Sequence, residues 1–269
     1  MNINTDTIKT GDAKTPVKVV IPIYTSSLNG DERRSLRQTM EVLGKWPRVF
    51  VVPQSLDTAA LEAEWKPSQV IRVSDQWLGR ANGIAGYNRM MLAREFYELF
   101  ADCEYILVCQ TDVWIFRDEL AEWCGCGYDY IGAPWIKRSI YNRPIIRQWL
   151  VMRRRLADRK GVRLRQHLFD KVGNGGLSLR RVSSFIGACD RLAGTIDLYN
   201  SRSGHLWHED VFWATEPTGF RYPDLRQALG FAFDTNPAFC LRTTGGKLPF
   251  GCHAWSKPRY RKFWEQYIK

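Results

Sequence analysis

The chain has 269 residues and a formal net charge of +11, with 45% hydrophobic and 25% charged residues. That is an ordinary globular balance, long enough for one large α/β domain or two small ones with a substantial core. No run of eighteen apolar residues is present, which excludes a membrane-crossing helix. The polar stretch from Met1 to Thr15 lacks the apolar centre of a secretory signal and reads as a disordered lead-in.

The seven cysteines are odd in number and include no CxxC pair, so neither a disulfide framework nor a zinc knuckle is expected. Cys124 and Cys126 alone would make a weak metal site, and inert thiols in a reducing cytoplasm are the reading adopted. The positive charge is concentrated. From Lys137 to Gln166 there are eleven Lys or Arg residues against the single acid Asp158, a local excess of ten. Such a block can attract phosphates, nucleic acid or an anionic membrane, or it can be a solvated insertion.

In chain order, Val17 to Ile23 is rich in β-branched residues and reads as a buried strand, with Pro22 marking an edge or an end. Asp31 to Gly44 carries Leu36, Met40 and Leu43 at helical spacing, with Gly44 placed as a C-cap. Val49 to Val52 is a second strand, Asp57 to Glu64 a helix with Asp57 as N-cap, and Val70 to Val73 a third strand. One longer helix is expected over Gly86 to Phe100, then a fully apolar strand over Tyr105 to Cys109. This alternation predicts a mostly parallel sheet with helices on both faces, binding its ligand beyond the carboxyl ends of the strands. Neither GxGxxG nor GxxxxGK[ST] occurs, which argues against a dinucleotide-binding fingerprint and a P-loop. The second half is less regular. Tyr128 to Ile131 reads as a short strand, Gly132 to Trp135 as a turn and Gly175 to Arg180 as a strand. Arg181 to Ala193 reads as a helix, and Lys257 to Tyr267 as a terminal amphipathic one.

Four segments can carry chemistry. Asp112, in Gln110-Thr111-Asp112-Val113, follows a buried strand and can bind a hard divalent cation that neutralises a diphosphate. An acid at such a turn can equally be a cap. In Gly173-Asn174-Gly175-Gly176 the glycines would let a ligand lie against the backbone, though an Asn-Gly turn feeding a strand looks the same. Glu209-Asp210 can open a helix, its dipole favouring the acids, and one carboxylate there can serve as general base. His253, in the segment Gly251-Cys252-His253-Ala254-Trp255, is a candidate metal ligand or a polar group satisfied in the core.

Singly these signals decide little, but their order is specific. An apolar strand ending in QTD, then YDYIGAPW, VGNGGLSLR, EDVFW and LPFGCHAW, resembles a bacterial and fungal family assigned to the GT-A glycosyltransferases and largely known as a domain of unassigned function. The opening VVIPIY and the segment GYNRMM resemble it too, so the likeness runs from about Val17 to Trp264. It implies a GT-A fold, with a nucleotide-binding half over residues 16–115 and an acceptor half over 116–269 that contains the basic insertion 137–166.

The same resemblance implies that Asp112 stands in the DxD-type metal motif, with Gln110 in place of the first acid, and that His253 completes an Mn²⁺ or Mg²⁺ site. Ile23, Tyr24, Thr25, Asn88 and Arg89 would contact the nucleotide, and Gln110 and Thr111 would border it. Asn174, Gly175 and Gly176 would border the donor sugar or the acceptor. Glu209 and Asp210 match the ED motif of inverting enzymes, in which the Asp is the base. The implied activity is metal-assisted transfer from a nucleotide-sugar, by default a UDP-sugar, to a glycan or lipid-linked saccharide. The alternative is a non-catalytic nucleotide-sugar or glycan-binding protein of the same fold, and Gln110 is the residue that favours it. Nucleic acid is not expected as a partner, because only Tyr141 and Trp149 interleave the basic block. Ile145, Ile146, Trp149, Leu150 and Met152, with their arginines, instead suggest an amphipathic element resting on the inner face of an anionic membrane.

Overall fold

The computed structural model describes residues 15–79 and 81–268. The expected lead-in lies outside these residues except for Thr15, which begins the first strand. The strands are β1 (Thr15–Pro22), β2 (Arg48–Pro53), β3 (Gln69–Val73), β4 (Cys103–Cys109), β5 (Val113–Ile115), β6 (Tyr130–Pro134), β7 (Val172–Arg181), β8 (Ala232–Phe233) and β9 (Gly251–His253). Six of them form the central sheet in the order β3-β2-β1-β4-β7-β6. β1 to β4 run parallel, and β7 runs antiparallel between β4 and β6. The expected α/β class, a mostly parallel sheet with helices on both faces, is therefore found.

Burial on both faces explains why β1, β2 and β4 read as nearly continuous apolar runs. Alternate residues serve different layers. Val17, Val19 and Ile21 pack with Leu36 and Met40 of the helix Gly30–Val42. Val20, Ile106 and Val108 pack on the other face with Met90, Phe96, Phe185 and Trp213.

The helix Gly30–Val42 starts earlier than its apolar spacing suggests. Asn29 caps it, accepting from the backbone N–H groups of Asp31 and Glu32 while Glu32 accepts from Asn29 N–H. Leu43, not Gly44, ends it. The single helix expected over Gly86 to Phe100 is two, Gly83–Leu92 and Arg94–Glu98, broken at Ala93, which is extended (φ −85°, ψ 131°). The break frees the Met91 carbonyl, which accepts from the Tyr97 hydroxyl at 2.8 Å and the Trp213 indole at 2.9 Å. Buried Tyr and Trp need such acceptors, so tertiary packing overrides a good helical pattern. The turn expected at Gly132 to Trp135 is also corrected, because Gly132–Pro134 continue β6 through two register shifts. The glycine is required there, since a Cβ would lie 2.6 Å from the Asn174 carbonyl oxygen.

A second sheet, β5-β9-β8, sits beside the first. Its strands of two or three residues are too short to show periodicity in the sequence. The basic segment forms the helix Pro144–Arg159. No described helix is long and apolar enough to cross a membrane. Five of the seven cysteines are buried, and no disulfide is formed among the described residues.

Candidate active site

The carboxyl end of β4 leads into Gln110, Thr111 and Asp112, and these residues line a cavity of about 570 Å³. Asp112 is brought to His253 by the register of the small sheet. Val113 of β5 pairs with His253 of β9, and Ala254 N–H donates to the Asp112 carbonyl at 3.0 Å. The result is a His253 Nε2 to Asp112 Oδ1 separation of 3.1 Å. The other imidazole nitrogen, Nδ1, lies 3.2 Å from Asp234 Oδ1. Burial works against a charged His253, but Asp112 and Asp234 outweigh it and push its pKa up to about 10. Burial likewise opposes charge on Asp112, and His253 reverses the balance and holds its carboxyl below the usual range.

Does this pair suit the metal that the sequence implies? A carboxylate on Nδ1 is the usual way a protein fixes an imidazole so that Nε2 faces a cation. Adjacent donors of an octahedral Mg²⁺ or Mn²⁺ with bonds of about 2.1 Å stand about 3 Å apart, close to the separation found. Asp112 and His253 therefore fit as neighbouring ligands. Among the described residues no group of three or more His, Cys, Asp or Glu side chains is placed to hold a metal, so remaining positions would fall to diphosphate oxygens and water.

The glycine pair connects this corner to the acidic helix. A Cβ on Gly176 would lie 2.4 Å from His253 Nε2, and one on Gly175 would lie 2.1 Å from Glu209 Oε1. Both positions need glycine because the His253 and Glu209 side chains occupy the space a Cβ would take. Asn174 shapes the turn, its Oδ1 accepting from Gly176 N–H at 3.0 Å. Gln110 is tied in through its backbone, whose N–H donates to the Gly176 carbonyl at 3.0 Å.

The helix Glu209–Thr215 presents its two acids very differently. Glu209 is buried against Arg180, whose side chain is fully buried, at 3.1 Å. Arg180 is held in turn by the Tyr97 hydroxyl and by Ser178 Oγ, which donates to the Gly175 carbonyl. Among the described residues Asp210 has no such cation. Its Oδ1 accepts from Val211 N–H, and burial together with the Glu209 charge raises its pKa to about 8. A carboxylate with an elevated pKa and no ion-pair partner, facing a cavity, is suited to take a proton near neutral pH.

The cavity gathers most of the expected site residues: Tyr24, Asn88, Gln110, Thr111, Asp112, Asn174, Gly175, Gly176, Glu209, Asp210 and His253. Three do not join them. Ile23 is buried in the core, Arg89 is exposed elsewhere on its helix, and Thr25 sits in the following turn with its Oγ1 accepting from Ser27 N–H. Alternation explains Ile23 and Thr25, since only every second residue near a strand end faces the cleft, whereas Arg89 lies on the helix Gly83–Leu92. Asn88 does line the cavity, but its Oδ1 accepts from Glu209 N–H at 3.2 Å, so it caps the acidic helix.

Sequence reasoning missed Tyr87, Arg180 and Asp234. Asp234 follows the apolar Phe231-Ala232-Phe233 as Asp112 follows β4, and the same logic applied there would have found it. Tyr87 adjoins the Asn88 already singled out, and burial raises its hydroxyl pKa. Arg180 gives no signal, because a buried arginine in a strand looks like a surface one until its partner is known.

The fold is similar to that of the galactosyltransferase LgtC in complex with donor and acceptor sugar analogs, at 13% identity and a TM-score of 0.52 over 93% of this chain and 95% of that chain. It is also similar to the mannosyltransferase Ktr4p from S. cerevisiae in complex with GDP, at 11% identity and a TM-score of 0.50 over 84% of this chain and 72% of that chain. At these identities the likeness establishes the GT-A fold. No curated protein sequence matches the chain. A family model described as a protein of unknown function, DUF5672, matches residues 67–253, most of the chain. By that match the chain belongs to the DUF5672 family.

Proposed function

We propose that the protein is a glycosyltransferase that moves a sugar from a nucleotide-sugar, with UDP the first nucleotide to test, to a hydroxyl of a saccharide or lipid-linked saccharide. One observation carries this reading. Two consecutive glycines separate a carboxylate–imidazole pair suited to a divalent cation from an acidic helix whose Asp210 has no ion-pair partner among the described residues. Residues 16–115 would seat the nucleotide, with Tyr24 at the cleft, and residues 116–269 would supply the acceptor side.

Asp112 and His253 would hold Mn²⁺ or Mg²⁺, which when bound offsets the negative charge on a departing nucleoside diphosphate. The donor sugar or the acceptor would border Asn174, Gly175 and Gly176, and the two glycines leave the room that Glu209 and His253 occupy beside it. Asp210 accepts the proton of the acceptor hydroxyl. The new bond forms from that oxygen to the anomeric carbon as the bond to the diphosphate oxygen breaks, which inverts the anomeric centre. Glu209 is the positioning acid, held by Arg180 and by the Asn88 cap so that the next residue faces the cavity. Gln110 stands in place of the first acid of a DxD-type motif, and it supports the other reading, a nucleotide-sugar or glycan binder without transfer.

A screen of UDP-, GDP- and CMP-sugars for nucleotide release, with and without Mn²⁺, separates the two. Release lost in Asp112→Ala, His253→Ala and Asp210→Asn is expected. Metal-dependent UDP binding with no turnover of any donor would favour the binder. Retained activity in Asp112→Ala would end the metal role of Asp112. NMR of the product's anomeric carbon tests inversion, and a retained configuration would remove Asp210 from the base role.

A further inference from the structure

The helix Pro144–Arg159 carries two apolar stripes, and the protein covers only one of them. At 100° per residue, Ile146, Leu150 and Ala157 share the inner side, with Ala157 buried and the other two half-buried. Ile145, Trp149, Met152 and Leu156 fall within about 60° of one another on a second side. They are 82%, 50%, 56% and 48% exposed. Arg153 flanks this outer stripe on one edge, 5.2 Å over the Trp149 ring, and Arg155 and Arg159 flank it on the other. An exposed apolar row rimmed by polar residues marks an interaction surface.

The segment that carries the helix is anchored at the rim of the site. β6 runs parallel to β4, so it ends on the rim that holds Gln110 to Asp112, and β7 starts there with Asn174 to Gly176. The whole basic segment leaves and re-enters at that rim. Its neck is closed by Trp135 N–H to the Lys171 carbonyl and Asp170 N–H to the Trp135 carbonyl. Arg154 and Asp158 line a cavity of about 370 Å³ together with Val211 and Thr215 of the helix that bears Asp210.

We infer that this outer stripe and its arginines dock on an anionic lipid bilayer, holding the mouth of the cavity at the membrane surface. The chemistry selects the occupant. A row of apolar side chains edged by arginines matches the acyl boundary and the phosphate headgroups of one bilayer. A second copy would bring the same excess of ten positive charges to the contact. Nucleic acid would need free aromatic faces, whereas Tyr141 is stacked on Phe169 and Trp149 is engaged by Arg153. Docking stands apart from the transferase reading, and only its use, access to a lipid-linked acceptor, rests on that reading.

Flotation of the full chain with vesicles of phosphatidylcholine alone, or with about 30 mol% phosphatidylglycerol, tests this. Binding to the anionic vesicles only, lost in about 1 M salt, is expected. Each basic residue near such a surface contributes about fivefold, so Arg153→Glu with Arg155→Glu and Arg159→Glu should weaken binding at least a hundredfold. Trp149→Ser with Met152→Ser should abolish it, and both variants alter exposed positions, so unchanged melting is expected. No flotation at low salt, or flotation untouched by both variants, overturns the inference. So does a gel shift of a short RNA without flotation, or a dimer that disappears in the Trp149→Ser variant. A chain that floats but releases no nucleotide from any donor keeps the docking and loses the transferase reading. Transfer to a soluble saccharide without flotation does the reverse.

Discussion

Replacing Gly176 by alanine perturbs the metal corner without removing any functional group. The new Cβ would stand 2.4 Å from His253 Nε2, whereas ordinary contact begins near 3.4 Å, so the imidazole must retreat by the difference of about 1 Å. It cannot do so freely, because Asp234 holds Nδ1 and Asp112 faces Nε2. Misplacement by about 1 Å costs about a hundredfold in rate, near 2.7 kcal/mol. The expected result is a loss of that size in kcat/KM, carried by weaker metal-dependent nucleotide binding in titration calorimetry. Overpacking should cost 1–3 kcal/mol, roughly, in stability, read as a small fall in Tm. A thermal double-mutant cycle isolates the cause. In a His253→Ala background the Cβ has room, and Gly176→Ala should then cost under about 1 kcal/mol. An equal fall in Tm in both backgrounds, or wild-type metal-dependent binding in Gly176→Ala, would refute the reasoning.

Asp210→Asn should abolish transfer yet raise stability. The folded pKa, about 8, lies above that of an unfolded aspartate, so ionisation opposes the fold, and the stability it contributes is full below pH 4 and is lost as pH rises through 8. The gain in Tm of Asp210→Asn over wild type should therefore grow from pH 4 and level off above 8. A gain independent of pH would contradict this. For wild type, kcat/KM should rise with pH through the same region, since only the carboxylate accepts a proton. Asp234→Asn keeps the shape but loses the charge on Nδ1, and metal affinity by calorimetry should fall 10–100-fold, roughly, with little change in fold. Unchanged affinity would leave Asp234 no role behind His253. Arg180→Ala leaves Glu209 buried without its cation and should cost about 3–5 kcal/mol in denaturant titration. Adding Glu209→Gln should recover part of that loss, and a double variant no more stable than Arg180→Ala would count against the pair.

Much of this site was legible along the chain. β1, β2 and β4 are buried on both faces, so their composition alone marks them, and their alternation with helices gives the sheet type and the end at which a ligand binds. Asp112, Asn174, Gly175, Gly176 and Asp210, which line one cavity, could be named because each belongs to a short local segment and the order of those segments resembles a known family. Local signals also misled. The apolar spacing of Gly86 to Phe100 is genuine, yet Tyr97 and Trp213 needed the Met91 carbonyl, and that demand comes from residues as far as 122 positions away.

Partnerships belong to tertiary structure. Only the pairing of β5 with β9 sets His253 beside Asp112, and strands of three residues leave no pattern from which to read it. Only the packed core shows that, among the described residues, Glu209 is paired with Arg180 while its neighbour Asp210 has no ion-pair partner, the difference on which the proposed roles of positioning group and base rest. The sequence also shows the basic block but not its orientation, and burial of Ala157 is what turns the stripe of Ile145, Trp149, Met152 and Leu156 outward. Composition and spacing determine which groups exist and which faces are apolar. Distances between groups far apart in the chain, and hence their pKa values and roles, are decided by the fold, because electrostatics and hydrogen bonding act through space.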